Sequence, residues 1–430
     1  MTMLTLDVPK EIGSANRLMP IERAGIVLVC AAVLMFIVGA GGMFDGHPML
    51  HMLLTLGIGT IGGLMAVLPG FADGPAGIRN NGIMWSPAKR RGAIAWALGV
   101  LFTVFYVLLY WYPSTLSHIV VAADPLSMLL RGRAADHWFF YGTLYTLAIV
   151  VMGIRMLAKY RHSRYHVIRT LSVMAAQLVA AYLIPAMLIR MESKEFYFSY
   201  FWPLKYEYLF PDTIDTLLGS SDGLLMFMGF WSLVMTFVAT PILTWFYGKR
   251  WYCSWICGCG GLAETAGDPF RHNSDKSLAA WKVERWMVHG VLLFVVVTTI
   301  VVWLNSVLGG AMLGSWSSGI GRAYGFYIGA LFSGVIGVGF YPILGSRVWC
   351  RFGCPMAAVL GILQRFASRF RITTNGGQCI SCGNCSTYCE MGIDVRSYAQ
   401  RGEDIRRASC VGCGVCATVC PRGVLKLENR

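Results

Sequence analysis

Between Cys379 and Pro421 the chain writes the same line of sulfur twice. It reads Cys379-Ile-Ser-Cys382-Gly-Asn-Cys385-Ser-Thr-Tyr-Cys389, and then Cys410-Val-Gly-Cys413-Gly-Val-Cys416-Ala-Thr-Val-Cys420-Pro421. Each copy is C-x2-C-x2-C-x3-C. Three thiolates at that spacing let a tight loop wrap one corner of a cubane, and the fourth ligand has to come from elsewhere. Zinc sites favour Cys/His pairs separated by a longer gap. Disulfides need an oxidising compartment and make no use of a repeated C-x2-C-x2-C spacing. The pattern points to two 4Fe–4S clusters.

The segment resembles bacterial two-cluster ferredoxins along its whole length, in which the last cysteine of each run ligates the other cluster. The resemblance implies that cluster I takes Cys379, Cys382, Cys385 and Cys420, and cluster II takes Cys410, Cys413, Cys416 and Cys389. One departure is Glu390, which follows Cys389 where the usual pattern has proline.

The rest of the chain is of a different character. Of 430 residues, 56% are hydrophobic and 13% charged, with mean hydropathy +0.57. Soluble domains carry about a quarter charged residues, so most of this chain belongs in lipid. Apolar runs near the length of a bilayer crossing are expected as eight helices, at about 24–43, 50–69, 92–112, 138–157, 168–190, 223–247, 284–304 and 324–344. Residues 1–23 lack the basic, apolar and small-residue succession of a signal peptide. The expected class is therefore an all-α polytopic membrane protein ending in an α+β ferredoxin-like domain. Its sections are an N-terminal segment (1–23), a bundle of unassigned role (24–240), a repeat region (241–371) and the tail (372–430).

The formal charge of +14 suggests nucleic acid at first sight. The basic residues, however, sit beside apolar spans, where the positive-inside bias expects them. Lys89-Arg90-Arg91, the stretch from Lys159 to Arg169, Lys249-Arg250, and Arg347 with Arg351 fall on one side. That side reads as cytoplasmic, with both termini on it, in a bacterial inner membrane. A reducing cytoplasm also suits exposed thiolate clusters. The aromatic loop Phe196-Tyr-Phe-Ser-Tyr-Phe-Trp202-Pro203-Leu-Lys-Tyr206-Glu-Tyr208 is expected in the interfacial belt, with a quinone or partner docking there as the lesser reading.

Thirteen of the 14 cysteines lie after position 250, and Cys30 reads as a small buried hydrophobe. Five of the thirteen form a second constellation on an internal repeat. Pro241-Ile-Leu leads through Arg250 to Cys253-Ser-Trp-Ile-Cys257, with Cys259 beyond, and Pro342-Ile-Leu leads through Arg347 to Cys350-Arg-Phe-Gly-Cys354-Pro355. Residues four apart share a helix face, so each C-x3-C can present two thiols together. Neighbouring cations favour thiolate. An iron–sulfur cluster, Cu/Fe, and plain packing of small apolar side chains all stay open for Cys253, Cys257, Cys259, Cys350 and Cys354.

A span, Arg, an aromatic residue and C-x3-C, twice, followed by a dicluster segment, is similar to the membrane polyferredoxin family typified by NapH, NosR and CcoG. The similarity covers about 240–430. It implies electron transfer between the quinone pool and a redox partner protein or respiratory complex. Cys257-Gly258-Cys259 departs from the family's Cys-Pro, and no flavin-attachment motif occurs. Two other classes remain: a Cu or Fe reductase serving assembly of a respiratory metalloenzyme, and a relay subunit within a larger complex.

No C-x-x-C-H is present, which excludes haem c on this chain. His289, inside a span, is the candidate haem b ligand, while His162 and His166 read as basic surface. Arg155, near a helix end, is expected to snorkel. No nucleophile motif, phosphate loop or nucleotide fingerprint supports hydrolytic or ATP-driven chemistry.

Overall fold

A computed structural model describes residues 19–72, 91–310 and 316–430. Segment 1–18 and the basic pair Lys89-Arg90 lie outside the described residues. Seven described helices are long and apolar enough to cross a membrane: α1 (Pro20–Gly39), α2 (Pro48–Phe71), α3 (Ala93–Trp111), α4 (His137–Lys159), α5 (Arg164–Arg190), α6 (Gly223–Tyr247) and α8 (Leu278–Val307). A short helix, α7 (Gly258–Glu264), lies in the loop between α6 and α8. The expected span at 324–344 is helical from Trp316 to Tyr324 (α9) and continues as a wider π-helical stretch over Gly325–Ile336. It then breaks in the Gly-Val-Gly sequence before Pro342 and resumes as the single turn Tyr341–Leu344.

Proline shapes two of the long helices. Pro185 in α5 and Pro241 in α6 each follow a π-helical stretch, Ala176–Leu183 and Met235–Ala239. A proline has no N–H to donate and its ring crowds the carbonyl four residues back. A locally widened turn relieves that crowding and lets the helix continue.

After Cys354 the chain forms α10 (Pro355–Phe366) and then the tail. The tail is a two-stranded antiparallel sheet of β1 (Phe370–Thr374) and β2 (Leu425–Asn429), which pairs Phe370 with Asn429 and Thr374 with Leu425. Its first and last strands thus close a loop that carries both sulfur runs. The tail is not a separate bead on a tether. One buried apolar cluster joins Trp251, Tyr252, Cys350 and Met356 to Phe370, Ile372, Met391 and Val411.

The aromatic loop differs from its expected place. Phe201 is fully buried and its ring meets Tyr252 edge-on at 5.9 Å, while Phe196 and Tyr206 are buried too. The loop folds inward, and Trp202 donates to Thr299 of α8 at 3.2 Å. Aromatic composition alone suits an interfacial belt and does not reveal how a loop turns.

Candidate metal centres

The two sulfur runs share a backbone design. In the first, Ser381 and Gly383 have φ of +58° and +80°; in the second, Gly412 and Gly414 have +65° and +82°. A left-handed residue on either side of the second cysteine turns the loop back on itself. The short helices Asn384–Thr387 and Val415–Thr418 start immediately afterwards and carry the third cysteine of each run. Ser381 tolerates this conformation at an exposed position. Gly412 has no such freedom, because a Cβ there would lie 2.7 Å from Arg250 Cβ.

Two cavities result. Cys379, Cys382, Cys385 and Cys420 line one, with Ile380, Arg396 and Arg422. Cys389, Cys410, Cys413 and Cys416 line the other, with Met391, Ile393 and Val411. This is the crossed grouping that the ferredoxin resemblance implies. No three thiols among the described residues come within 4.8 Å of one another. One tetrahedral zinc, with bonds of about 2.3 Å, would draw its sulfurs to about 3.8 Å. Four thiols around a wider cavity fit a 4Fe–4S cluster instead.

The two sets differ in setting. Cys382 and Ile380 are exposed. The second run is pinned to the helix ends below it. Tyr165 donates to the Gly412 carbonyl at 2.8 Å, Arg169 to that of Cys413 at 2.6 Å, and Ser254 to that of Val411 at 2.8 Å. Gln364 donates to the Cys410 carbonyl at 2.8 Å, and His166 pairs with Thr418 at 2.8 Å. His166 is therefore buried at this joint and not part of a basic surface. Burial pushes the Cys410 and Cys385 thiols up to about 11. Cluster binding deprotonates them and reverses that preference.

At the membrane face, Cys253, Cys350 and Cys354 are buried in one cluster, with Cys257 packed against it. Cys259 is not part of that apolar cluster but lies within electrostatic reach of Cys257, Cys350 and Cys354. Cys259 beside it draws the Cys257 thiol below its usual range, while Cys257 and burial push that of Cys259 up. Burial drives Cys253 up to about 12 despite Lys249 beside it. Of the five cysteines, then, the two C-x3-C pairs share one buried cluster, and Cys259 adds a thiol within reach of both.

Between this site and the tail runs a buried ion network that sequence reading missed. Glu264 of α7 pairs with Arg169, Arg271 and Arg347, the last at 2.7 Å. Glu390 pairs with Arg271 at 2.8 Å and Arg347 at 3.1 Å. Asp268 takes Arg155 and Lys159 at 2.7 Å each and Arg271 at 2.9 Å. Arg155 is accordingly buried and paired, not snorkelling. Burial would raise the Asp268 carboxyl, but Lys159, Arg155 and Arg271 hold it well below the usual range. Glu390, also buried, is held low by Arg271 and Arg347. The carboxylates of Glu264 and Glu390 lie within 4.8 Å of the Cys413 thiol, but with three arginines on them they are ion-pair partners and not metal ligands. Arg347 also reaches the Cys350 sulfur at 3.7 Å and donates to the Cys253 carbonyl at 3.0 Å.

His289 lies on an exposed face of α8. A haem b ligand has to turn into the bundle towards a second histidine, so this side chain does not present that arrangement. Its position along a span says nothing about the face it occupies.

Residues 378–425 match the 4Fe–4S dicluster domain family, and residues 229–277 and 327–373 match a second family described as a 4Fe–4S binding domain. The second match falls on the two halves of the C-x3-C repeat. The chain is 25% identical to the electron transport protein YccM of Escherichia coli (strain K12) over 178 residues, which are 39% of this chain and 48% of that protein. It thus spans about half the length of the curated relative it matches. No solved structure matches the chain. Ferredoxin-type 4Fe–4S segments and seven helices apolar enough to cross a membrane describe a multi-pass chain with iron–sulfur segments, and with the distant relative they fit a membrane polyferredoxin.

Proposed function

We propose that the chain carries electrons between the membrane quinone pool and a redox partner. In this reading it has eight spans, the last built on α9, with both termini and the tail in the cytoplasm of a bacterial inner membrane. Cys379, Cys382, Cys385 and Cys420 hold cluster I, and Cys410, Cys413, Cys416 and Cys389 hold cluster II. Cys253, Cys257, Cys350 and Cys354, with Cys259 beside them, hold a third centre at the membrane face. The clusters supply one-electron chemistry, and the chain's own residues fix their spacing, burial and charge.

The observation that carries the reading is the seating of the tail. Its second sulfur run is bolted by Ser254 to the first C-x3-C segment, by Gln364 to α10, which follows the second, and by Tyr165 and Arg169 to α5. Its first run is left open at Cys382 and Ile380. This difference in setting supports a route in which one cysteine set works beside the membrane segments and the other faces a partner.

The test is reduction by quinol of the anaerobically purified protein, followed by electron paramagnetic resonance. Signals from reduced clusters at quinol potential support the circuit. Clusters that respond only to a soluble carrier would remove the quinone pool from it. Stoichiometric copper on the C-x3-C thiols, lost in Cys350→Ser, would replace the third cluster with a metal-handling role.

A further inference from the structure

Eight lysines and arginines are buried among the described residues, and seven of them reach a carboxylate: Arg131, Arg155, Lys159, Arg169, Arg271, Arg347 and Arg351. The eighth is Lys249. It is 2% exposed, and its ammonium donates to the Ala408 carbonyl at 3.1 Å. No acidic group pairs with it among the described residues. An ammonium without a counter-ion in such a place costs several kcal/mol of lost hydration, and one carbonyl does not repay that. A neutral donor would serve the same hydrogen bond.

Its neighbours identify the missing anion. Lys249 stands one helical turn before Cys253, whose N–H donates to the Lys249 carbonyl at 3.0 Å. The Lys249 N–H donates to Gln364 at 2.7 Å, and Gln364 donates in turn to the Cys410 carbonyl at 2.8 Å. Its positive charge favours the thiolates of Cys253, Cys350 and Cys410 against the effect of burial. Its backbone bonds therefore set it between the first C-x3-C pair and Gln364, which holds the second sulfur run at Cys410, and it does not line the cavity of Cys379, Cys382, Cys385 and Cys420. A cubane held by four thiolates is a net anion, and reduction adds one more negative charge to it.

We propose that Lys249 is the counter-ion shared by the membrane-face centre and cluster II, fixed there to hold both at a higher reduction potential than burial alone would set. The proposal rests on the membrane-face centre inferred above. It predicts an effect on two centres of three, which a merely structural lysine would not produce.

The experiment is a redox titration of the purified holoprotein, monitored by electron paramagnetic resonance, in Lys249→Met and Lys249→Arg. Lys249→Met is expected to shift the one-electron equilibrium of cluster II and the membrane-face centre at least tenfold towards the oxidised form. That is about 59 mV more negative. Cluster I keeps its potential, and Lys249→Arg stays close to the parent. If Lys249→Met does not retain iron, Lys249→Gln keeps a neutral donor for the Ala408 carbonyl while removing the charge, and is expected to lower cluster II and the membrane-face centre likewise. Unchanged potentials, or an equal shift of every centre, overturn the proposal. Iron in the parent is read first: about eight per chain defeats the membrane-face centre. The counter-ion role then fails as well only if cluster II keeps its potential without the Lys249 charge.

Discussion

Glu390 stands where a ferredoxin run usually has proline, and the structure gives it two guanidinium partners, so replacing it separates the two roles a residue can have there. Its pairs with Arg271 and Arg347 are 2.8 and 3.1 Å long and fully buried. At an effective dielectric of about 20, each such contact is worth about 5 kcal/mol of attraction before desolvation is subtracted. Removing one partner of a buried pair costs about 3–5 kcal/mol, because the other charge stays in place unanswered. Here Arg271 and Arg347 keep Glu264, and Arg271 also keeps Asp268, so the loss should fall near the lower end, at about 3 kcal/mol. Glu390→Gln preserves shape and removes charge; Glu390→Pro restores the usual turn residue and removes charge. Denaturant unfolding in detergent, followed by tryptophan fluorescence and by cluster absorbance, should show both variants destabilised by about 3 kcal/mol or more, with proline no better than glutamine. A proline variant as stable as the parent would refute the reasoning, because the turn and not the ion pair would then be what the position requires.

Asp268 has a carboxyl held well below its ordinary range by three cations, so its contribution is present above the unfolded value of about 4 and is lost as pH falls through the folded one. Unfolding midpoints should drop on acidification below about pH 4, and Asp268→Asn should be destabilised at neutral pH while losing much of that acid dependence. Cys420→Ser should abolish the signal of the cluster whose other ligands are in the first run, and Cys389→Ser that of the second; the opposite pattern would mean uncrossed ligation. Gly248 has φ +65°, and a Cβ there would lie 2.6 Å from Gln364 Oε1 and 2.9 Å from Phe370 Cβ. Gly248→Ala should therefore cost about 2 kcal/mol or more and loosen the tail from the membrane segments, read as faster proteolysis between 366 and 380.

Local sequence carried the tail and the spans well. The eight tail cysteines follow from spacing within each run, and their two groups follow from how such runs cross. Hydropathy located the long helices because lipid demands length and apolarity and little else. What escaped was whatever depends on partners far along the chain. Arg155 and Asp268 are 113 residues apart, and Arg347 and Glu264 are 83 apart, so no periodicity links them. Arg155 therefore read as a snorkelling cation, His166 as surface and Glu390 as a blemish in a motif. His289 was misplaced for a related reason: a uniformly apolar helix gives no sign of which face is inward. The Pro-Ile-Leu and C-x3-C repeat was the one long-range signal available, and it brought the two cysteine pairs to the same place.

The account rests on sulfur holding iron at two depths, in the tail and at the membrane face. Iron and acid-labile sulfide per chain, measured on anaerobically purified protein alongside spin quantitation, test this most directly. The account predicts about twelve of each, falling to about eight in Cys350→Ser. A parent value of about eight that Cys350→Ser leaves unchanged would contradict the membrane-face centre, and a chain free of iron would contradict the whole.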